Sequence, residues 1–259
     1  IILAAGAVGS PQILELSGVG RGDVLQKAGI PVKLERRQLG ENLQDHLQLR
    51  CAYKVTGIPT LNEKASKLFG KAMIGLEYFL RRSGPMSMAP SQLGVFTRSD
   101  PSYETANLQY HVQPLSLEKF GEAVHPFPAF TASVCNLRPD SRGSIHIKSP
   151  DHRTQPAIQP NYLSAESDRR IAADSIRLTR HIVAQAPLQK YRPEEFKPGP
   201  SYETQEQLEK AAGDIGTTIF HPVGTCRMGV DAEAIVDPRL RLNGIQGLRV
   251  ADASVMPGI

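Results

Sequence analysis

The residues best suited to chemistry are the nine at positions 221–229, His-Pro-Val-Gly-Thr-Cys-Arg-Met-Gly. Histidine changes its charge near neutral pH, so His221 is a candidate general base. Pro222 fixes the backbone directly after it, and Gly224 and Gly229 allow the main chain to approach a ligand closely. The same pattern also fits a histidine at a strand end whose ring is bonded to a backbone carbonyl, and this stretch alone does not decide between the two.

Two apolar runs at opposite ends of the chain predict buried strands of a parallel sheet. Residues 248–252 end in Asp252, and a carboxylate at the carboxyl end of such a strand lies where ligand hydroxyls are held. Residues 1–6 form the other run and end in Ala5 and Gly6. A strand at residue 1 needs a parallel neighbour from elsewhere, so we expect this sequence to be part of a longer one.

A third set of polar side chains lies on one predicted strand. Residues 107–113 alternate polar and apolar types, which places Gln109, His111 and Gln113 on one face. Such a face is either solvated or the wall of a cavity. Residues 40–46 form a polar loop, which is interpreted either as a local hydrogen-bond cluster of Asn, Asp and His side chains or as a simple turn.

Composition excludes several classes of protein. The basic residues are scattered over a chain of net charge +4, which argues against a nucleic-acid-binding surface. No apolar run of about 18 residues exists, so no transmembrane segment is expected. The three cysteines lack metal-ligand spacing, which predicts no metal site and reduced thiols in a cytoplasmic protein.

The pattern of apolar and polar residues divides the chain into three consecutive segments. Residues 1–46 and 216–259 consist of short apolar strands, turns and helices, whereas residues 47–215 combine alternating strands with amphipathic helices. The predicted fold class is α/β plus α+β, in which a domain of residues 47–215 is inserted into a domain formed by the two end segments.

Local signals place individual elements within these domains. Ser10 and Pro11 predict the start of a helix, and Thr204 with Gln207 forms a capping box at the start of another. Other predicted elements are strands at 47–55 and 107–113, a helix within 65–82 with Met73, Leu76 and Leu80 on one face, and a hairpin made of 131–137 and 143–148.

Several stretches resemble one family, the glucose–methanol–choline (GMC) flavoprotein oxidoreductases. Residues 6–20, Gly-Ala-Val-Gly-Ser-Pro-Gln-Ile-Leu-Glu-Leu-Ser-Gly-Val-Gly, resemble its second signature, and residues 40–46, Gly-Glu-Asn-Leu-Gln-Asp-His, resemble the loop that follows. Residues 221–229, together with Val-Asp at 236–237 and Ala-Asp-Ala-Ser-Val-Met-Pro at 251–257, resemble its C-terminal active-site and flavin segments. The order and spacing also match, and the nearest branch is that of the choline dehydrogenases.

The resemblance implies an FAD enzyme that oxidises a small-molecule alcohol. His221 would match the histidine beside the flavin, which accepts the hydroxyl proton or stabilises the alkoxide while a hydride passes to flavin N5. Asp252 and Ala253 would match the segment that contacts the ribityl and pyrophosphate groups. Ala5 and Gly6 would lie on a strand near the FAD.

The family's fold supplies roles for the predicted domains. Residues 1–46 and 216–259 would be the C-terminal part of an FAD-binding Rossmann-like domain. Residues 47–215 would be an inserted antiparallel-sheet, substrate-binding domain, in which Gln109 and His111 wall the substrate cavity. The electron acceptor and the oligomeric state are not assigned, and peripheral association of a longer protein with a membrane is left open.

The chain also departs from the family pattern. The N-terminal Gly-x-Gly-x-x-Gly turn and the first signature are absent, and the family's second catalytic residue, an Asn or His, lies beyond residue 259. Backbone N–H groups of that turn hold the pyrophosphate of a dinucleotide. We therefore expect this chain alone to bind FAD poorly and to be inactive.

Two other functions are compatible with single features of the sequence. One is a hydrolase that pairs His221 with Ser10 or Ser254, although no Gly-x-Ser-x-Gly elbow is present. The other is a non-catalytic binding or structural domain that retains the fold without FAD.

Overall fold

The computed structural model describes residues 1–89, 91–119 and 121–259, and these fall into two units. Unit 1 comprises residues 1–46, 138–168 and 218–259, and unit 2 comprises residues 47–137 and 169–217. The sequence placed residues 138–168 with the sheet of the inserted domain. The structure instead groups them with the two end segments.

The described residues form a mixed α and β structure. The strands are β1 (Ile2–Leu3), β2 (Val19–Gly20), β3 (Leu34–Glu35), β4 (Leu47–Lys54), β5 (Leu93–Thr97), β6 (Leu108–Gln113), β7 (Ala129–Asn136), β8 (Ser144–His146), β9 (Ala157–Gln159), β10 (Glu194–Lys197), β11 (Gly216–Thr218) and β12 (Arg249–Val250). The helices are α1 (Gly6–Leu16), α2 (Gly22–Lys27), α3 (Leu61–Ser66), α4 (Leu68–Arg81), α5 (Glu166–Val183), α6 (Ala186–Gln189) and α7 (Gln205–Ile215), with short 3₁₀ turns at Pro85–Ser87 and Ala253–Val255. Within the described residues, no helix is both long and apolar enough to span a bilayer.

Unit 1 is built around strands from the two ends of the chain. β1 and β12 pair in parallel, with Ile2 opposite Arg249 and Leu3 opposite Val250. The partner that a strand at residue 1 requires is therefore supplied by the C-terminal region. A core of buried apolar side chains, among them Leu14, Val236 and Val250, packs beneath this pair.

Helix α1 begins four residues earlier than Ser10, where the sequence placed its start. Pro11 lies inside the helix and has no N–H to donate to the carbonyl of Ala7, four residues before it. The buried Thr225 hydroxyl donates to that carbonyl instead, at 2.7 Å. A side chain of the 221–229 segment thus satisfies the helix where the proline interrupts it.

A partly buried ionic network links α1 to β8 and to the loop at residues 40–46. Nδ1 of His146 lies 2.7 Å from Oε1 of Glu15, and its Nε2 lies 3.1 Å from Oε1 of Glu41. Glu15 is fully buried and also accepts the N–H of Ile147 at 2.8 Å. Burial lowers the pKa of His146, but the hydrogen bonds and charges of the two glutamates outweigh it, so the pKa lies above its ordinary value.

Unit 2 contains an antiparallel sheet with the hydrogen-bonded strand order β10-β4-β7-β6-β5. The short strand β11 also pairs with β4. The predicted strands at 47–55 and 107–113 are present as β4 and β6. Residues 48–53 of β4 are buried on both faces, whereas the alternation predicted one buried face. The helix α5 packs on the sheet face that carries Tyr110, whose hydroxyl lies 2.9 Å from Oγ1 of Thr179.

The predicted hairpin of 131–137 and 143–148 is wrong. β7 pairs with β4 and β6, whereas β8 pairs with β9 in unit 1. Asp168 holds the residues between β7 and β8, because its carboxylate accepts the N–H groups of Asp140 and Ser141 at 3.0 and 2.7 Å. The turn-forming residues there therefore mark a crossing between units.

The helical signals had mixed outcomes. The capping box at α7 is confirmed, because the Thr204 hydroxyl accepts the N–H of Gln207 and the Gln207 side chain accepts that of Thr204. The helix predicted within 65–82 is present as α4, and Lys67, in an extended conformation, separates it from the preceding α3. The predicted apolar face of α4 is exposed, and it includes Met73, Leu76 and Leu80.

The His146 network predicts a pH-dependent stability. A histidine whose pKa is raised by folding stabilises the folded state below its unfolded pKa of about 6.5, and this contribution is lost as pH rises through the folded pKa. We expect the free energy of unfolding of the wild-type chain to contain a component that falls above about pH 6.5, and His146→Gln to lack it. Urea denaturation at a series of pH values measures this. The control His152→Gln, at an exposed ring, should retain the component, and identical pH curves for both variants would contradict the prediction.

Candidate cofactor and catalytic site

The Asp252 carboxylate joins the end of β12 to the start of α1. Its Oδ2 accepts the N–H of Gly6 at 3.0 Å and the Ser10 hydroxyl at 2.5 Å, and its Oδ1 accepts the N–H of Ser254 at 2.8 Å. Burial alone would raise the pKa of Asp252, but these hydrogen bonds lower it below its ordinary value. The structure thus brings Gly6 and Asp252 together, as expected from their places after two neighbouring strands.

Small, accessible residues surround this carboxylate. Ala4, Ala5 and Ala251 are exposed, and all three follow the paired strands β1 and β12. Gly6 has a φ of +80°, and a Cβ built on it would meet no atom within 4 Å. A ligand can therefore approach the backbone at the carboxyl ends of a parallel strand pair, where α/β sheets bind cofactors. In side-chain size, exposure and position, these residues fit the edge of a bound dinucleotide.

The segment of His221 runs alongside the turn that contains Ala253. The N–H of Gly224 donates to the carbonyl of Ala253 at 3.3 Å, and the N–H of Cys226 donates to that of Ser254 at 2.8 Å. Gly224 has a φ of +91°, and a Cβ there would lie 2.5 Å from the carbonyl oxygen of Asn42. Only glycine suits this close approach. The histidine segment, the Asp252 turn and the loop at residues 40–46 are therefore held together.

The anchor of the histidine itself is Asp45. Its Oδ1 accepts the backbone N–H of His221 at 2.9 Å, and its Oδ2 accepts the hydroxyls of Thr218, at 2.5 Å, and of Tyr162. The Thr218 hydroxyl in turn accepts the N–H of Phe220 at 2.8 Å. Burial raises the pKa of Tyr162 and the bond to Asp45 raises it further, so this hydroxyl remains a donor.

The backbone of His221 is fixed while its side chain is exposed. Its ring stands edge-on to that of the buried His46, with ring centroids 5.8 Å apart and an interplanar angle of 73°. Within the described residues, no protein group accepts from or donates to the His221 ring. The ring is therefore accessible to a ligand, in contrast to the alternative of a ring bonded to a backbone carbonyl.

Sequence reasoning did not single out Asp45 as a site residue. Residues 40–46 were interpreted as either a turn or a local cluster of polar side chains. One bond is local, from Nε2 of Gln44 to Oδ1 of Asn42 at 3.3 Å. Other partners are distant: Gln44 also donates to the carbonyl of Pro257 at 3.2 Å and accepts the N–H of Ile259 at 3.3 Å. The sequence offered one signal for Asp45 as a site residue, which is that Asp45 and His46 lie within the stretch that resembles a family loop.

The substrate-wall candidates lie in unit 2. Gln109 and His111 are half-buried on β6, opposite Cys135 and Ser133 of β7 respectively. They share a sheet face, as the alternating pattern predicted. The structure places the other candidates, His221, Ala5, Gly6, Asp252 and Ala253, in unit 1.

Neither serine of the hydrolase alternative is paired with His221 in the part of the chain that the structure describes. The Ser10 hydroxyl donates to Asp252 at 2.5 Å and accepts the N–H of Ala5 at 3.2 Å. Ser254 is fully buried. A nucleophile must be exposed and within hydrogen-bond reach of its base, so the described geometry does not support a Ser–His hydrolase.

Comparison with known proteins identifies relatives over the whole chain. Two family models, both described as GMC oxidoreductase, match residues 1–48 and residues 139–259. An oxygen-dependent choline dehydrogenase of Citrobacter koseri is 40% identical over 259 residues, which are 100% of this chain and 46% of that protein. One of Serratia proteamaculans is 39% identical over 257 residues, 99% of this chain and 46% of that protein. The chain thus spans about half the length of the curated relatives it matches.

Solved structures share the fold. A pyridoxine 4-oxidase from Mesorbium loti matches with a TM-score of 0.84 and 28% identity, covering 100% of this chain and 47% of that one. An FAD-dependent oxidoreductase from Chaetomium thermophilum matches with a TM-score of 0.85 and 22% identity, covering 100% and 51% respectively. At that lower identity the likeness shows the fold alone.

The three donors to Asp45 predict a large effect of removing its charge. A hydrogen bond to a charged group contributes a net stabilisation of about 1.5–3 kcal/mol. Asp45→Asn retains the side-chain shape but removes the charge, so it weakens these bonds, and its amide N–H groups would face hydroxyl groups that already donate. We expect the free energy of unfolding to fall by about 2–3 kcal/mol and the His221 amide to exchange its hydrogen faster. Urea denaturation and hydrogen exchange measure these. The control Asp23→Asn removes a surface ion pair and should cost less than about 1 kcal/mol; equal losses, with unchanged exchange at His221, would contradict the prediction.

Proposed function

The chain belongs to the GMC oxidoreductase family, and on that premise we propose that it forms part of an FAD-dependent alcohol oxidoreductase. It supplies the proton-accepting histidine, His221, and one side of the cofactor site. The observation that carries the proposal is the combination at His221 of a fixed backbone and an accessible ring. General-base catalysis needs a side chain of this kind, positioned but able to reach the substrate.

FAD, when bound, supplies the acceptor for the two electrons of the alcohol. Ala5, Gly6, Asp252 and Ala253 are the residues of this chain that would hold it, in a Rossmann-like domain. Gly6 permits close approach of the backbone, because its φ of +80° and open surroundings leave room that a side chain would fill. Asp252 fixes this backbone through its bonds to Gly6 and Ser10.

His221 acts on the hydroxyl group of the substrate. Its neutral imidazole accepts the hydroxyl proton as the carbon of the alcohol is oxidised, and the imidazolium then stabilises the negative charge that develops on the oxygen. Asp45 takes no part in proton transfer, because its oxygens are engaged by the N–H of His221 and by two hydroxyls. It is a positioning residue.

We expect the 259-residue chain alone to bind FAD too weakly to copurify with it. None of its glycines forms the Gly-x-Gly-x-x-Gly turn whose N–H groups hold a pyrophosphate. Absorbance near 450 nm after purification and FAD incubation measures binding. A yellow preparation containing about one FAD per chain would contradict this expectation and would leave the role of His221 untouched.

The role of His221 is tested in a longer protein that contains this chain and FAD. His221→Asn removes the base while retaining a polar side chain, so we expect the rate of flavin reduction by alcohol to fall about 10²–10⁴-fold, with flavin absorbance unchanged. Anaerobic stopped-flow absorbance measures the rate. The control His181→Asn, at an exposed position of α5, should reduce its flavin at the wild-type rate. A His221→Asn enzyme as fast as that control would refute the assignment.

A further inference from the structure

Helix α4 of unit 2 presents an apolar face that the described part of the chain leaves exposed. At about 100° of rotation per residue, six large apolar side chains fall within about 140° of its circumference. They are Leu68, Phe69, Met73, Leu76, Phe79 and Leu80, here named the α4 face, and their exposed fractions range from 47% to 85%. The half-buried Ile74 and Tyr78 lie on the other side of the helix. The most apolar side of α4 therefore points away from its own chain.

A helix with such a face needs a partner. None of the 14 residues of α4 is buried, and the helix packs mainly against α3 and the short turn at Pro85–Ser87. Isolated helices shorter than about 12–15 residues are marginal in water, and helices of folded proteins gain most of their stability by packing an apolar face. A contiguous exposed apolar patch marks a surface that binds a protein or a membrane.

Positive charge surrounds the α4 face. Five exposed basic residues lie on α4 or beside its ends, and they are Lys64, Lys67, Lys71, Arg81 and Arg82. Within the residues that the structure describes, none of the five forms an ion pair. The same stretch contains two carboxylates, of which Glu63 accepts the N–H of Thr60 at 3.2 Å and Glu77 accepts the Ser83 hydroxyl at 3.3 Å. The surface around the apolar face is therefore net positive.

This combination fits a lipid surface better than a protein surface. Protein interfaces are depleted in lysine, whereas helices that lie at a membrane surface carry Phe and Leu on one face and Lys and Arg on the other. Long basic side chains bury their methylene groups while their charges reach anionic headgroups. A helix that crosses a bilayer needs about 20 residues. With 14 residues, α4 would lie along the surface instead.

We propose that α4 docks the protein on an anionic lipid surface. The α4 face enters the boundary between headgroups and acyl chains, and the surrounding lysine and arginine side chains bind lipid phosphates. The inference does not rest on the proposed function, because no residue of the candidate cofactor and catalytic site takes part in it.

Cosedimentation with lipid vesicles tests the proposal on a longer FAD-containing protein with this chain. One set of vesicles is pure phosphatidylcholine, and the other contains phosphatidylglycerol as well. We expect binding to the anionic vesicles to be about tenfold tighter or more and to weaken as salt is added, because salt screens the exposed charges. Equal binding to both sets, or binding to neither, would overturn the proposal and leave the proposed function standing.

A first pair of double variants tests the apolar contribution. Leu76→Gln with Phe79→Gln removes two side chains of the α4 face, so binding to anionic vesicles should weaken by about tenfold or more. The matched control, Ile158→Gln with Val230→Gln, changes two exposed apolar residues outside α4 and should bind as the wild type does. Flavin content establishes folding, and equal binding by the two folded variants would refute the role of the α4 face.

A second pair tests the charge. Lys71→Gln with Arg81→Gln removes two positive charges beside the α4 face and should weaken binding to anionic vesicles by about tenfold or more. Lys148→Gln with Arg239→Gln makes the same change in net charge at exposed positions elsewhere and should have a much smaller effect. Equal losses in the two variants would show that net charge alone attracts the vesicles, which contradicts docking through α4.

Other partners for the α4 face give different results with the same proteins. If a second copy covers it, Leu76→Gln with Phe79→Gln should reduce the size of the oligomer in sedimentation velocity. If another segment of the longer protein covers it, the same variant should lower the free energy of unfolding. Either result, with vesicle binding unchanged, would overturn the proposal.

Discussion

Asp45 gathers three donors from distant parts of the chain around one buried carboxylate. Tyr162, Thr218 and His221 lie 117, 173 and 176 residues away in sequence. A carboxylate can accept hydrogen bonds from several donors at once. In a poorly solvated environment these bonds are stronger, so they fix the positions of the donors more firmly. The consequence is specific: the backbone of His221 is fixed by a charge-assisted bond, while its ring is left accessible. The chemistry proposed for the ring depends on this division.

The same construction occurs a second time at Asp252. There, too, a carboxylate accepts backbone N–H groups and a hydroxyl, and it joins the start of α1 to the strand at the other end of the chain. Neither carboxylate needs to act on a substrate. Both use their charge to order backbone that a cofactor or alcohol can then approach. The proposed site thus consists of ordered loops with small side chains, as binding sites in α/β sheets commonly do.

Local sequence signals predicted the elements whose structure is decided locally. The alternation at β6 and the capping box of α7 each depend on residues within one element. The predictions failed where distant contacts decide. Pro11 is tolerated inside α1 because Thr225 satisfies the carbonyl that the proline leaves without a donor. The turn-like residues after β7 do not close a hairpin, because both neighbours of β7 are other strands. Asp45 was overlooked as a site residue for the same reason.

Membership in the GMC oxidoreductase family joins these observations into one chemical account. The central claim is that a protein containing this chain and FAD oxidises an alcohol. The most direct test mixes such a longer protein anaerobically with an alcohol that carries deuterium on the carbon bearing the hydroxyl. Flavin absorbance is followed in time against the undeuterated alcohol. We expect the C–H bond of that carbon to break as the flavin is reduced. The deuterated alcohol should therefore bleach the flavin severalfold more slowly than the undeuterated one, and one molecule of carbonyl product should form per flavin reduced. A flavin that no alcohol bleaches, or bleaching without a carbonyl product, would contradict the account.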